Sequence, residues 1–564
     1  MLQYSGFNQA LRRKPCGLRP PAAALALLAL ACGSTLACGS DRPESTGSPA
    51  DGTGSPAGGT GSPAGGTGAT GSGGTSTSGN SGSGGGGGTV GAGGTSASGG
   101  ASGSGGGSGG LGGATIFNDT FWKDTSGTPI YSQGGGVLQV GDTYYWYGVQ
   151  YRGARSYVDN PVKNGDTTFE GITTYSSKDL VNWKHEATDK PAGVGGWFGR
   201  LGVAYNENTR KYVLVAQAWV GGDASSVYFA TSDSPAGGFV YEHVQANPPG
   251  IANGGTGDQT IFQDDDGQAY MISSSQEGRS NRYVSPLRAS DFLQVEQAIP
   301  VYRGGGREGN CMFKHEGTYY FCSSDLHGWN TSATYCVSAT NIRGPWSEEF
   351  VMKNTELDYS HVTQTGFFIH VYGTEQTTII YAGDRWADFA GNGIGFNQWV
   401  PLSFRGGEPY FHSLSAWTLN ATTGRWAVAP ENNWVLNPTF EADRITVSTP
   451  VGWSASNGSN SQDGHTGRWS WQLNGTASLS QSVADLPNGT YTLEVWAKSN
   501  GAGAELYIQN YGGPGKIAPI PESTSWSRVT IGDIAVSDGR AELGVKSSGQ
   551  TVKVDDFTLI AASD

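Results

Sequence analysis

The strongest constraint on this chain is a strand–turn–strand unit that recurs five times between about residues 115 and 430. Apolar or aromatic runs flank short polar turns at Gly136–Val149 (turn Gly141-Asp142), Leu201–Ala218 (turn Asn206–Asn208), Thr260–Ser275 (turn Asp264–Gly267), Cys311–Ser324 (turn His315-Glu316-Gly317) and Gly366–Ala382 (turn Gly373–Glu375). The second strands read TYYWYG, KYVLVAQ, AYMISS, TYYFCSS and TTIIYAG, rich in the aromatic and β-branched residues that suit strands. A second hairpin-like stretch follows each, such as ITTYSSKDLVNW or TYCVSATNIRGPW. Units of about four strands, repeating every 50–70 residues or so, fit the blades of a five-bladed β-propeller around a central channel. A β-sandwich with extra hairpins is the weaker alternative, because five near-equivalent units argue for radial repetition.

In a propeller the innermost strand of each blade lines the channel, so the residue ahead of that strand sits at the channel mouth. Reading back from each turn gives Gln133, Gly199-Arg200, Asp258, Glu308 and Gln364. A single Glu ahead of a strand is usually a solvated loop carboxylate. Here two carboxylates and two carboxamides converge, which predicts a polar funnel of ligand size. Glu308 is expected just before a short strand around Cys311–Phe313, within RGGGREGNCMFKHEGTYYFCSSDLHGW.

The flanks are of other kinds. Arg12, Arg13, Lys14 and Arg19 followed by the apolar run Ala22–Ala31 read as an export signal, too short for a stable membrane span. Cys32 or Cys38 is the expected lipidation point if the leader, residues 1–38, is that of a bacterial lipoprotein; simple secretion is the alternative. Residues 39–113 are almost wholly Gly, Ser, Thr, Ala and Pro, a disordered tether that cannot bury a core. A net charge of −14 and the absence of a basic stripe argue against nucleic acid. Beyond the leader only Cys311, Cys322 and Cys336 remain; Cys311 and Cys322 face each other across the hairpin, as a disulfide or as buried thiols.

The propeller is expected over 114–430 and a separate β-sandwich of jelly-roll type over 431–564, from short alternating segments such as RWSWQLNG and GTYTLEVWAK. Trp453, Trp469, Trp471, Tyr507 and Tyr511 are core residues or sugar-stacking platforms there. Glu441 and Asp556 are candidates for a shared structural calcium, since hard cations want clustered oxygens.

Five pieces, GGGVLQVGDTYYWYG, YSSKDLVNW, FQDDDGQAY, the Glu308 hairpin with HGW, and AGDRW, give residues from about 120 to 425 a resemblance to glycoside hydrolase family 43. Within it they look most like the exo-β-1,3-galactanase branch and a neighbouring branch associated with arabinofuranosidase activity. NPTFE and KVDDF make the C-terminal region similar to jelly-roll carbohydrate-binding modules. The resemblance implies an inverting hydrolase in which Glu308 is the general acid and Asp258 sets its pKa. The family's base position holds Gln133 here; the galactanase branch also lacks that Asp, and its substitute, a Gln before the fifth blade, matches Gln364 in HVTQTGF. Gln133, Arg200, Trp329 of HGW, and Asp384 and Arg385 of AGDRW are then the implied sugar contacts. Val149 and Gly199 stand where the galactanases carry carboxylates, which favours a different sugar.

The chemistry agrees independently of the family. Glycoside cleavage needs an acid for the leaving oxygen and a means of activating water on the opposite face. Asp258 can hold Glu308 protonated by like-charge repulsion. A Gln only orients water, so Asp325 and Asp358 are alternative bases. The expectation is a secreted, exo-acting, monomeric glycosidase needing no cofactor, which releases arabinofuranosyl or galactosyl units from arabinogalactan-type plant polysaccharide. Alternatives are a non-catalytic carbohydrate-binding surface lipoprotein and a structural adhesion propeller.

Overall fold

The structure, a computed structural model, describes residues 113–153, 167–194, 197–220, 223–252, 255–327, 331–385, 396–443 and 445–562. All of them fall in one compact unit, Gly99–Asp564. The leader, most of the linker and Trp329 lie outside the described residues. No helix among the described residues is long and apolar enough to cross a membrane.

Strand β1 is Ala114–Phe117. The first four-stranded sheet follows as β2 (Gln133–Val140), β3 (Thr143–Tyr151), β4 (Phe169–Ser177) and β5 (Lys184–Asp189). The second is β6 (Phe198–Asn206), β7 (Lys211–Val220), β8 (Asp223–Ser232) and β9 (Val240–Gln245), and the third β10 (Thr256–Gln263), β11 (Ala269–Ser275), β12 (Asn281–Pro286) and β13 (Ile299–Arg303). The fourth is β14 (Arg307–His315), β15 (Thr318–Asp325), β16 (Thr334–Ala339) and β17 (Phe350–Val351). The fifth is β18 (Gln364–Tyr372), β19 (Thr377–Arg385), β20 (Phe396–Arg405) and β21 (Glu408–Phe411). Their first strands neighbour one another in turn, and β18 neighbours β2, closing the ring.

The middle strands are buried on both faces. Along β15, Tyr319 and Phe321 join one core with Phe262, Ile272 and Met312, while Tyr320 and Cys322 join the next with Phe368 and Tyr381. Successive strand side chains point to opposite faces. A sheet wedged between two others therefore needs apolar residues at consecutive positions, and TYYFCSS reads that way.

The propeller has six sheets, not the five expected. The sixth is three-stranded: β1 pairs with β22 (Ala416–Leu419), which pairs with β23 (Trp426–Val428). Ile116, Trp417 and Leu419 share one core with Trp146 of the first sheet, Trp183 just ahead of β5, and Phe367, Ile380 and Trp399 of the fifth. This sheet is invisible as a sequence unit because its strands come from opposite ends of the propeller. It ties those ends together around packed indoles, with Trp399 centred 4.9 Å from Trp146 and 5.0 Å from Trp122. Each such pair adds about 0.5–1.5 kcal/mol beyond its burial.

A seven-stranded sheet closes the chain: β24 (Ser454–Ser461), β25 (Ser470–Val483), β26 (Gly489–Ser499), β27 (Ala504–Gln509), β28 (Lys516–Ile520), β29 (Ser523–Val536) and β30 (Ala541–Ala561). The early part of β30 pairs with β27 and its later part with β26, so one strand serves two partners on the same edge. Alternate residues, among them Leu473, Leu479, Leu493, Val495, Leu543 and Val554, face one common core. Trp453, Trp469, Trp471, Tyr507 and Tyr511 are all buried, which resolves them as packing residues. Trp496 and Trp526 are instead half-buried, with His465 stacked on Trp496 at 4.0 Å.

Cysteine pairing also differs from expectation. Cys322 lies between Cys311 and Cys336 in adjacent strands, and it bonds to Cys336 across β15 and β16. Cys311 is a buried free thiol.

Candidate active site

Each inner strand of the five four-stranded sheets slips register near its start. The bulges fall between Gln133 and Gly136, Gly199 and Leu201, Gly257 and Thr260, Glu308 and Cys311, and Thr365 and Phe367. A bulge leaves one residue unpaired and re-aims the side chains beside it. Glu308 thus lies inside β14, opposite Ser324, rather than ahead of a strand beginning near Cys311. Arg200 and Asp258 occupy bulges with φ of 21° and 39°, a region that non-glycine residues enter at a cost of about 1–3 kcal/mol.

Gln364 follows a turn of left-handed backbone, Tyr359–Val362, with φ between 53° and 59°. That handedness costs L-residues about 1–2 kcal/mol each. A cluster buried at Asp358 and His361 and open at Asp119 holds it: Asp358 accepts from the His361 N–H at 2.9 Å, and the His361 ring bonds Ser413 at 2.7 Å and Asp119 at 3.1 Å.

Five of the predicted residues meet in one network. Gln364 Nε2 donates to Glu308 Oε1 at 2.9 Å, and Arg200 Nη2 donates to Gln364 Oε1 at 2.6 Å. Arg200 also reaches Asp384 at 3.3 Å and Asp258 at 3.8 Å. Asp258 accepts from the Gly309 N–H at 3.0 Å, and Asp384 from the Gly134 N–H at 3.1 Å. Arg200, Glu308, Gln364, Asp384 and the neighbouring Gln133 are all buried.

Burial pushes the Glu308 carboxyl up, and repulsion from Asp258 adds to it. Arg279, Arg200 and the Gln364 hydrogen bond pull the other way, and the result is about 8. Burial likewise raises Asp384 against the pull of Arg200. Arg200 stays charged, because Asp258 and Asp384 outweigh its own desolvation. At neutral pH Glu308 therefore holds a transferable proton beside the Asp258 carboxylate.

Other expected residues lie elsewhere. Arg385 turns to Asp119, at 3.0 Å. Asp325 is held by Arg307, and Asp358 by Ser413 and the His361 turn, so these alternative bases are committed within their own clusters. Glu441 and Asp556, the candidates for a shared calcium, each accept hydrogen bonds from the segment 465–469. Glu441 Oε1 accepts from the N–H groups of Arg468 and Trp469 at 2.6 and 2.7 Å, and Asp556 from His465 and Thr466. Among the described residues no group of three or more His, Cys, Asp or Glu is arranged to hold a metal ion.

Two site residues escaped the sequence reading. The Trp197 ring lies over Gly199, where an added Cβ would meet it at 2.1 Å, and it remains partly open beside Arg200. Arg279 projects from the loop between β11 and β12 onto Gly257. Neither precedes an inner strand in the way that exposed the others; the bare Gly199 and Gly257 beside the funnel positions were the available signal.

A protonated carboxylic acid with a second carboxyl group nearby, in a polar funnel on a propeller, is equipped to protonate a glycosidic oxygen, and the class so defined is that of the glycoside hydrolases, which act on O-glycosyl bonds. Residues 135–381, less than half of the chain, match the family described as Glycosyl hydrolases family 43. A relative from Xylanibacter ruminicola that carries the name beta-xylosidase is 26% identical over 190 residues, 32% of this chain and 35% of that protein. The match thus spans about a third of the length of that curated relative. The solved exo-β-1,3-galactanase of Phanerochaete chrysosporium, with galactose, is 22% identical, with 78% of this chain and 100% of that one covered at a TM-score of 0.50. A variant of the same enzyme with β-1,3-galactotriose gives the same 22% identity, the same 78% and 100% coverage and TM-score 0.50. The likeness to both is one of fold.

Proposed function

We propose that this chain is an inverting, exo-acting glycoside hydrolase that releases galactosyl or arabinofuranosyl units from arabinogalactan-type polysaccharide. The observation that carries the reading is Glu308: a carboxyl at the head of β14, hydrogen-bonded to Gln364, that burial and then repulsion from Asp258 push up to about 8. The similarity to a galactanase and to a protein named for xylosidase activity supports a polysaccharide as the substrate class.

In this mechanism the Glu308 proton passes to the departing glycosidic oxygen as the bond from C1 to that oxygen breaks. Water adds to C1 from the opposite face, its proton passing to solvent water in the open funnel, and Glu308 is reprotonated from solvent after the product leaves. Arg200, fixed by Asp258 and Asp384, is a permanent cation beside the sugar. Gln364 orients the water, and a sugar seated in the funnel replaces its present contact with Glu308. That contact favours a second role, in which the amide holds the acid's side chain in its rotamer.

Residues 114–430 form the catalytic domain in this reading, and residues 431–564 a carbohydrate-binding one. The leader 1–38 exports the protein or lipidates it at Cys32 or Cys38, with 39–113 as its tether. The decisive test is release of reducing sugar from arabinogalactan and from galactan, read alongside binding. Binding to both with release from neither would identify a non-catalytic sugar-binding protein instead.

A further inference from the structure

Among the described residues, four arginines are almost wholly buried: Arg200, Arg279, Arg282 and Arg385. Three face carboxylates, with Arg200 against Asp258 and Asp384, Arg282 against Glu349, and Arg385 against Asp119. Arg279 faces none. It is 8% exposed, and its one side-chain hydrogen bond runs from Nη1 to the Gln276 carbonyl at 3.0 Å. Buried charges are ordinarily paired, because desolvating an uncompensated ion is costly.

The surroundings fix where this guanidinium lies. A Cβ on Gly257 would sit 1.9 Å from Arg279 Nη1 and 2.3 Å from Cζ, so the group lies flat on the bare Gly257 backbone, one residue before Asp258. Gly255 makes the same room for the Gln276 side chain, with 2.2 Å to its Oε1. The Arg279 carbonyl accepts from the Arg307 N–H at 3.2 Å, one residue before Glu308. The loop is thus anchored at the two funnel positions that carry the carboxylates. The guanidinium acts on Glu308 through its field, opposing the repulsion from Asp258.

An arginine fork matches a carboxylate with two parallel hydrogen bonds, and a carboxylate brings the counter-charge that the protein withholds. We propose that Arg279 is a specificity residue that takes the carboxylate of a uronic acid unit in the sugar chain bound at the funnel. The inference rests on the reading of this site as a glycosidase site and narrows its substrate to an acidic branch or terminus.

The test is binding to the full-length protein, by calorimetry, of two matched pairs of ligands: methyl β-D-galacturonide against methyl β-D-galactoside, and methyl β-D-glucuronide against methyl β-D-glucoside. Each pair differs only at C6. A charge-assisted contact predicts that one uronide binds about 10- to 100-fold more tightly than its neutral twin. Arg279→Gln should abolish that preference, and Arg279→Lys, which keeps the charge without the fork, should keep only part of it. Equal binding within both pairs, no binding of either uronide, or a preference that survives Arg279→Gln with an unchanged melting temperature overturns the proposal. Hydrolysis of the corresponding aryl glycosides is read in parallel. A uronide preference with no substrate cleaved would retain the role of Arg279 and remove the hydrolase reading instead.

Discussion

The Gln364 amide bridges two partners: its nitrogen donates to Glu308 at 2.9 Å while its oxygen accepts from Arg200 at 2.6 Å. The bridge fixes the amide's orientation and joins the acid to the cation anchored by Asp384. Gln364→Ala should therefore lower kcat on natural glycosides and on aryl glycosides by similar factors, since placement of water is needed whatever leaves. If activity were retained in full, Gln364 would be a structural neighbour of the acid and no more.

Glu308→Gln keeps the shape of the acid and removes its proton. The loss on natural glycosides should be about 10²- to 10⁴-fold, the usual worth of general acid–base catalysis. It should be much smaller on substrates with an acidic phenol, which leaves without protonation. Steady-state kinetics on both substrates check this; an equal loss on both would make Glu308 a binding residue.

Glu308 has its carboxyl raised from 4.5 to about 8 in the folded chain, so it is active as an acid below that pH. The alkaline limb of kcat/KM should fall as pH rises through about 8. The same shift bears on stability. A carboxyl raised on folding contributes fully below 4.5, and its contribution fades as pH rises through about 8. Glu308→Gln should then melt at a higher temperature than the wild type at pH 8–9 while showing no such gain at pH 4, as pH-dependent calorimetry would reveal.

His361 gives the second pH signature. Burial alone would pull it down, but Asp119 and Asp358 outweigh that and push it from 6.5 to about 10. The stability it adds is fully present below 6.5 and is lost as pH rises through about 10. His361→Gln should cost about 3 kcal/mol at pH 6, because it leaves the buried Asp358 without its cation. Chemical denaturation at pH 6 and pH 10 measures this; the penalty should shrink at the higher pH.

Removal of the C-terminal region should weaken action on insoluble polymer and spare an aryl glycoside. The cut needs to retain Asn432 and Asn433. Asn432 Oδ1 caps the Ser415 and Ala416 N–H groups at 2.9 and 3.2 Å, and the Asn433 N–H reaches Ser415 at 2.7 Å. Thr331 also bonds the Ala442 carbonyl at 2.7 Å, so part of this interface serves the propeller. Comparable loss on the aryl glycoside would mean the region completes the fold instead.

Much of the propeller was legible locally. A strand packed on both faces must be apolar at consecutive positions, and TYYFCSS or KYVLVAQ declare that without reference to anything distant. The turns between inner strands were equally readable from Gly, Asn and Asp. The convergence of Arg200, Asp258, Glu308 and Gln364 followed from radial repetition, which places equivalent positions of successive units at one mouth.

Long-range pairing decided the remainder. Nothing near Ala114–Phe117 announces that it pairs with Ala416–Leu419 to make a sixth sheet. Cys322 had a partner on either side, and both lie in register with it, so neighbouring sequence could not choose Cys336 over Cys311. Trp469 and Trp471 became core while Trp496 faced outward, because a strand's alternation reveals two faces but not which one a second layer covers. The bulges did the same for chemistry. A one-residue slip costs a strand little and leaves no mark in composition, yet it set Glu308 inside β14 beside Gln364 and brought Arg279 onto Gly257. Residue type established which groups could act; only the packed sheets determined which of them meet.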